Sequence, residues 1–200
     1  SRQFGWVKAD AIDMGPMGIY QLFSAAGANE AMQRVGNYWH MLPQYGQARK
    51  SVWEAVNPRT GKRRIDEAFP DAICETKRSQ DMFIRFKNGS TWQLVGSDSY
   101  NSLVGSPPIG VTASEWALAD PSAWAYLRPI LLENGGWAVF ITTVRGKNHV
   151  WRMYEGAKDD PDWFVQVLRA SCDVARGPQI YEPSLMIIVQ GSKLAYLGTR

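Results

Sequence analysis

The chain contains 200 residues, of which 45% are hydrophobic and 20% are charged. Such proportions exclude a disordered or fibrous chain and indicate an ordinary globular domain. The formal net charge of +3 is compatible with a polyanionic partner but is too small for a dedicated nucleic-acid-binding protein. Apolar runs are shorter than the roughly 18 residues that are needed to cross a bilayer. Residues 1–10 lack the basic and then apolar segments, in that order, of a signal peptide. We therefore expect a cytoplasmic protein without a membrane partner.

The predicted elements begin at residue 37. Residues 6–33 contain glycines and a proline that interrupt any regular pattern, and they are left unassigned. Aromatic and apolar residues at 37–42 predict a buried strand that Pro43 ends. Apolar residues at three- and four-residue spacing then predict a helix at 45–56.

A strand and then a hairpin are predicted between residues 71 and 95. The turn signal is the Asn-Gly dipeptide at 88–89. A three-residue loop with a bulge would place Phe86 opposite Trp92 and would bring the apolar side chains of both strands to one face. We prefer this loop to a strict two-residue turn.

The second half of the chain alternates between strand and helix patterns. The predicted elements are a strand at 109–113, a helix that Asp120 caps and that ends at 134–136, a strand at 137–142, a helix at 148–154 and a helix from Asp160 toward Ala170. Because the strands are nearly continuous in apolar residues, we expect an α/β fold with a mostly parallel sheet, flanked by helices, and one antiparallel hairpin. The strand-like run at 185–189 is left unplaced.

Polar residues follow two of these strands directly. In sheets of this kind ligands bind at the carboxyl ends of the strands. The first strand leads to Ser114 and Glu115, and an acidic residue at such a place positions Mg²⁺ or the attacking water in nucleotide hydrolases. A plain solvent-exposed glutamate is the alternative. The second strand leads to the polar and basic segment 143–149, which is either a phosphate-contacting loop or a solvated one.

Five motifs in chain order resemble one family. They are PQYGQARK at 43–50, NGSTWQLVGSD at 88–98, SLVGS at 102–106, GVTASEWAL at 110–118 and T-x-R-G-K-N-H at 143–149, which Tyr154 follows. Together they resemble the large terminases of tailed phages and prophages over about residues 34–165. The resemblance implies a P-loop-type ATPase that uses ATP and Mg²⁺ to thread double-stranded viral DNA into a capsid. It also implies a portal protein and a small terminase subunit as partners, and a homo-oligomeric ring in the bacterial cytoplasm.

The resemblance assigns roles to single residues. Glu115 matches the catalytic glutamate that aligns water on the γ-phosphate, and Ser114 stands where the family has a Mg²⁺-binding aspartate. Thr143, Arg145 and Gly146 match the loop that couples hydrolysis to motion in the family, and Lys147 is assigned to the same loop. The usual proline of that loop is Val144 in this chain.

The front of the chain departs from the family. A phosphate-binding loop follows the pattern G-x-x-x-x-G-K-[ST], because backbone N–H groups and the lysine surround the phosphates. Residues 1–5 resemble its second half, but Trp6 occupies the lysine position and Lys8 lies two residues later. By this resemblance Arg2, Gly5 and Lys8 are assigned to nucleotide binding, and an arbitrary basic start is the alternative.

The resemblance fades after Ser171, where no acidic cluster suited to a two-metal nuclease follows. We therefore expect one ATPase-like domain over residues 1–200, with 171–200 as an unplaced tail and without a nuclease domain. A second hypothesis is a truncated or degraded prophage product without ATP turnover, which at most binds DNA or other packaging proteins.

The remaining polar candidates carry weaker signals. Arg59, Lys62, Arg63 and Arg64 form a dense basic cluster, which is either a solvated loop or, through Lys62, Arg63 and Arg64, a contact with a DNA backbone. His40 lies in an apolar strand and is expected to be a hydrogen-bonded core histidine, and the isolated histidines and cysteines indicate no zinc site. Most of the tryptophans fit the apolar pattern and are expected to fill the core.

Overall fold

The computed structural model describes residues 31–103, 105–143, 145–160, 162–169 and 184–190. In chain order the strands are β1 (Asn37–Leu42), β2 (Cys74–Arg78), β3 (Phe83–Phe86), β4 (Thr91–Gly96), β5 (Gly110–Ser114), β6 (Trp137–Thr143), β7 (Trp163–Arg169) and β8 (Ser184–Gln190). The α-helices are α1 (Tyr45–Ala48), α2 (Arg64–Ala68), α3 (Ser122–Glu133) and α4 (His149–Ala157). A π-helical turn at Arg49–Trp53 continues α1, and 3₁₀ turns lie at Ser97–Leu103 and Trp116–Leu118.

The strands form one sheet in the order β2-β3-β4-β1-β5-β6-β8-β7. The four central strands, β4, β1, β5 and β6, are parallel to one another. On each side of them, two further strands extend the sheet by antiparallel pairing. Following these pairings across the sheet, only β3 and β8 run against the direction of the other described strands. The predicted α/β class with a mostly parallel sheet and an antiparallel hairpin is confirmed.

Both faces of the sheet are covered, as the apolar strands require. Alternate residues of β1 show this: Trp39 and Met41 lie in a core cluster with residues of α3 and α4, whereas Tyr38 and Leu42 lie in a second cluster with residues of α1 and α2. Most of the tryptophans fill these clusters as predicted. Trp151 is the departure, because it is 36% exposed on α4.

Several predicted boundaries agree with the structure. The strand at 37–42 is β1, and Asn148 caps α4 by accepting a hydrogen bond from the Val150 N–H at 3.0 Å. Helix α3 begins at Ser122, one residue later than predicted, and the Asp120 carboxylate accepts from the Ser122 N–H at 2.8 Å. It ends before Gly135, whose φ of 56° is the left-handed conformation that glycine adopts easily.

The predicted hairpin is right in its loop and wrong in its pairing. The loop holds three residues, 87–89, and Phe86 N–H donates to the Ser90 carbonyl at 2.9 Å. Ile84 therefore pairs with Trp92, two positions away from the predicted register. Because side chains alternate with a period of two, this shift leaves the apolar residues on the predicted face, and they share one core cluster.

The helix predicted from Asp160 toward Ala170 is wrong. Residues Trp163–Arg169 form strand β7. A turn that begins at Asp160 precedes the strand, and in it the Trp163 N–H donates to the Asp160 carbonyl at 3.0 Å. An Asp-Pro pair begins a turn as readily as a helix, and the following run is rich in aromatic and β-branched residues. The run at 185–189, left unplaced by its sequence, lies in β8 between β6 and β7.

Candidate functional site

The carboxyl ends of the four central strands meet at one edge of the sheet. Met41 of β1 lies beside Val95 of β4 on one side and Ala113 of β5 on the other, and Ala113 lies beside Phe140 of β6. Because these strands are parallel, the segments that follow them all leave from this edge. We call it the carboxyl edge, and the predicted site residues in the described part of the chain are concentrated there.

Close packing joins the ends of β1 and β4. The Asp98 carboxylate accepts from the N–H of Tyr45 at 3.1 Å, and the Ser97 hydroxyl donates to the Pro43 carbonyl at 2.9 Å. A Cβ atom at Gly96 would lie 2.5 Å from the Tyr45 nitrogen, so only glycine fits there without a shift of the backbone. This half of the carboxyl edge is therefore rigidly built. The sequence signal for it was the G-S-D triplet in the terminase-like motif, whose contacts were not predicted.

Glu115 follows β5 in an unusual backbone conformation. Its φ of 54° and ψ of 37° lie in the left-handed region, which costs a residue other than glycine roughly 1–3 kcal/mol. The chain reverses here, and the Leu118 N–H donates to the Glu115 carbonyl at 2.9 Å. The residue is half-buried, and its catalytic role stays a prediction. Strain of this kind is common where a side chain must be aimed at a ligand.

Ser114, the last residue of β5, is buried. Its side chain is 1% exposed, and its hydroxyl shares a hydrogen bond of 2.8 Å with Nε2 of His40, which is fully buried in β1. His40 is thus the hydrogen-bonded core histidine that was predicted. Neither group meets solvent, so the pair cannot work as a nucleophile and base on an external substrate, and the hydroxyl is not presented as a metal ligand.

Burial lowers the pKa of His40 to about 3, because desolvation penalises the charged imidazolium. In the unfolded chain this pKa returns to near 6.5, so below that pH the unfolded state binds a proton that the folded state does not. Stability is therefore fully retained above about pH 6.5 and falls by up to ~1.4 kcal/mol per pH unit between pH 6.5 and pH 3.

We expect urea unfolding to show a loss of ~2 kcal/mol from His40 between about pH 7 and pH 5. The variant His40→Gln should be less stable than the wild type at pH 7 but should depend less on pH over this window. Parallel pH profiles for the two proteins would contradict a neutral buried His40.

The segment after β6 presents its polar residues to solvent. Arg145, Gly146 and Lys147 are exposed, and Gly146 has a φ of 64° that turns the chain toward α4. Thr143 is half-buried at the end of β6. The structure therefore brings this segment to the same edge as Glu115, and its coupling role stays a prediction.

Two contacts join the end of β6 and the start of α4 to the turn at residues 115–118, which we call the Glu115 turn, and sequence reasoning missed both. Thr142 accepts a hydrogen bond from the Ala117 N–H at 2.9 Å, and His149 bonds to the Trp116 carbonyl at 2.8 Å. Trp116 also packs edge-on against the His149 ring, with centroids 5.6 Å apart. The one available signal was the polar character of both residues beside an apolar strand.

The predicted basic cluster is partly neutralised. The Arg63 guanidinium donates to the Asp66 carboxylate at 2.8 Å, and the Lys77 ammonium lies 3.3 Å from the same carboxylate. Lys62 is exposed, and Arg64 is half-buried at the start of α2. The proposed phosphate-loop residues Arg2, Gly5 and Lys8 lie outside the described residues.

The described residues contain neither a metal-binding cluster nor a membrane-spanning helix. No group of three or more His, Cys, Asp or Glu side chains there could hold a metal ion. In the same part of the chain, no helix has the length and apolar character needed to cross a bilayer.

Comparisons with known proteins give a likeness in structure only. No protein-family model matches the sequence, and no curated protein matches it. The large-terminase ATPase domain of Thermus phage P74-26 superposes with a TM-score of 0.53 at 22% identity, over 70% of this chain and 61% of that domain. An arginine-to-alanine mutant of that domain gives the same TM-score and coverage at 21% identity. An rRNA methylase from Streptococcus thermophilus reaches a TM-score of 0.42 at 11% identity, over 94% of this chain and all of that chain, which is too low to support an argument.

The chain thus spans 61% of the terminase domain that it matches. At this identity the likeness establishes the fold and nothing finer. The fold of this chain is similar to that of the ATPase domain of a phage large terminase.

Proposed function

We propose that this chain is the ATPase core of a terminase-type DNA-packaging motor, which hydrolyses ATP with Mg²⁺. The observation that carries the proposal is the position of Glu115. It directly follows β5 at the carboxyl edge of a terminase-like sheet, half-buried and in a left-handed backbone conformation. A carboxylate held there suits a group that orients water for attack on a phosphate.

The described residues fit the nucleotide in part. Glu115 supplies a carboxylate, and the exposed Arg145 and Lys147 supply positive charge on the next segment of the same edge. Ser114 does not fit a metal ligand, because its buried hydroxyl is bonded to His40. Bound Mg²⁺ would neutralise charge on the transferred phosphate, and we derive no step through it from Ser114.

The partners belong to the same proposal. A positive net charge and the exposed Lys62 beside α2 support contact with a duplex DNA backbone, which is recognised through its phosphates. A ring of identical subunits, a portal protein and a small terminase subunit are expected from the resemblance alone.

The test is calorimetric titration of the purified chain with Mg²⁺-ATP. The concentrations are chosen to detect dissociation constants up to about 1 mM, which corresponds to a binding free energy of roughly −4 kcal/mol. We expect saturable binding, with phosphate release that rises when duplex DNA is added. Titration with ATP in excess EDTA is the control for the metal. Absence of any heat would contradict the ATPase proposal.

A second candidate is a module that binds DNA or packaging proteins without ATP turnover. The pairing of Ser114 with His40 favours it, because the position before Glu115 then contributes neither charge nor a free hydroxyl to a metal. Duplex DNA binding that weakens with salt, in a chain that releases no phosphate, would support this candidate over the first.

A further inference from the structure

The turn that carries Glu115 is joined to neighbouring structure as well as closed by its own hydrogen bonds. Within it the Leu118 N–H donates to the Glu115 carbonyl at 2.9 Å, and the Ala119 N–H donates to the Trp116 carbonyl at 3.1 Å. The first N–H groups of a helical turn have no partner inside the turn. Ala117 is in this position, and the left-handed φ of 54° at Glu115 adds strain that neighbouring structure must offset.

Thr142 supplies the missing partner for Ala117. Its hydroxyl oxygen accepts from the Ala117 N–H at 2.9 Å, while its hydrogen is donated to the Thr143 carbonyl at 3.2 Å. The Thr142 side chain is only 2% exposed, so water does not compete for this bond. The two bonds of one hydroxyl therefore join the last residues of β6 to the backbone of the Glu115 turn.

His149 makes the second connection. A carbonyl oxygen only accepts, so Nε2 of His149 must carry the hydrogen in its 2.8 Å bond to the Trp116 carbonyl. The ring also packs edge-on against Trp116, which in turn contacts Phe140 of β6 at 5.0 Å between centroids. The backbone of Trp116 is thereby bonded to α4, and its side chain packs against both α4 and β6.

We infer that Thr142 and His149 are positioning residues, which fix the backbone of the Glu115 turn and so set the direction of its carboxylate. They flank residues 143–148, so the chain is attached to the Glu115 turn just before and just after that segment. The catalytic consequence rests on the proposed function, whereas the contact itself does not.

The experiment uses isosteric variants of the whole chain. Thr142→Val removes the acceptor for Ala117 and keeps the volume, Thr142→Ser restores a hydroxyl, and His149→Phe keeps a ring against Trp116 without the donor. Thr91→Val is the matched control, because Thr91 donates to the Asn37 side chain at 2.7 Å at the opposite edge of the sheet. Amide hydrogen exchange at Ala117 is followed by NMR, and ATP turnover is measured in parallel.

We expect exchange at Ala117 to accelerate at least ~10-fold in Thr142→Val and to stay near wild type in Thr142→Ser and Thr91→Val. We also expect kcat to fall by roughly 10- to 100-fold in Thr142→Val and in His149→Phe, with little change in KM, because a misaimed group affects the chemical step. Recovery of kcat in Thr142→Ser would distinguish positioning from a general loss of stability.

Two results would overturn the inference. One is unchanged protection of Ala117 in Thr142→Val, and the other is wild-type kcat in a variant whose Ala117 exchange has accelerated. If the wild type neither binds nor hydrolyses ATP, the proposed function fails, and the exchange data alone then decide whether Thr142 holds the turn.

Discussion

If the proposed ATPase function holds, replacing Glu115 by glutamine is expected to lower ATP turnover by roughly 10²- to 10⁴-fold, the range for loss of a positioned general base. The amide keeps the size of the side chain and can still accept a hydrogen bond, but it cannot take a proton from water. Affinity for Mg²⁺-ATP should change little, because in the proposed mechanism the group acts on the attacking water rather than on the nucleotide. Phosphate release and calorimetric titration of the same preparation measure both quantities.

The matched control for this prediction is Glu133→Gln, which makes the same chemical change at an exposed residue at the end of α3. It should leave turnover unchanged. Wild-type turnover in Glu115→Gln would remove Glu115 from the proposed mechanism. A loss of turnover accompanied by a lower unfolding midpoint would instead indicate that the amide disturbs the strained turn.

Replacing Trp92 by alanine should destabilise the fold by about 3–5 kcal/mol, the usual cost of removing a buried Trp or Phe side chain. Trp92 is 1% exposed in β4, and its ring lies 4.7 Å from Phe69 and 6.1 Å from His40, measured between centroids. The change opens a cavity where the sheet meets the segment after α2. Urea unfolding followed by circular dichroism gives the free energy of unfolding.

Trp151→Ala is the matched control for Trp92→Ala, because Trp151 is 36% exposed and has a ring contact with Tyr154 on the same helix. We expect a loss below about 1 kcal/mol, as for most exposed substitutions. Equal losses in the two variants would contradict the assignment of Trp92 to the core. Because a typical domain is stable by only 5–15 kcal/mol, Trp92→Phe provides a milder variant if Trp92→Ala does not fold.

Local patterns determined much of the architecture. The apolar run at 37–42, the Asn-Gly turn and the Asn148 cap each act over a few residues, so they could be read directly from the sequence. Alternation of apolar strands with helices was sufficient for the α/β class, because only a sheet covered on both faces buries such strands. The order of the five motifs pointed to the terminase-like fold, and the structural likeness agrees with it.

Other features depend on pairing between distant segments. The sequence predicts a helix where β7 lies and gives no place to β8, because β7 is paired to β8, and β8 is paired to both β7 and β6, from distant parts of the chain. The observed register of the hairpin differs by two residues from the predicted one. Side chains alternate between the two faces with a period of two, so their pattern does not distinguish registers that differ by two.

For the candidate site, the sequence by itself determined that Ser114 and Glu115 follow a buried strand and that a polar segment follows the next one. Only the tertiary structure decided that Ser114 turns inward to His40, that Glu115 adopts a left-handed conformation, and that Thr142 and His149 hold its turn. The hydrogen bonds of Ser114, Thr142 and His149 join residues that are 25 to 74 positions apart in the sequence. The packing of neighbouring strands brings such residues together, and no local pattern does so.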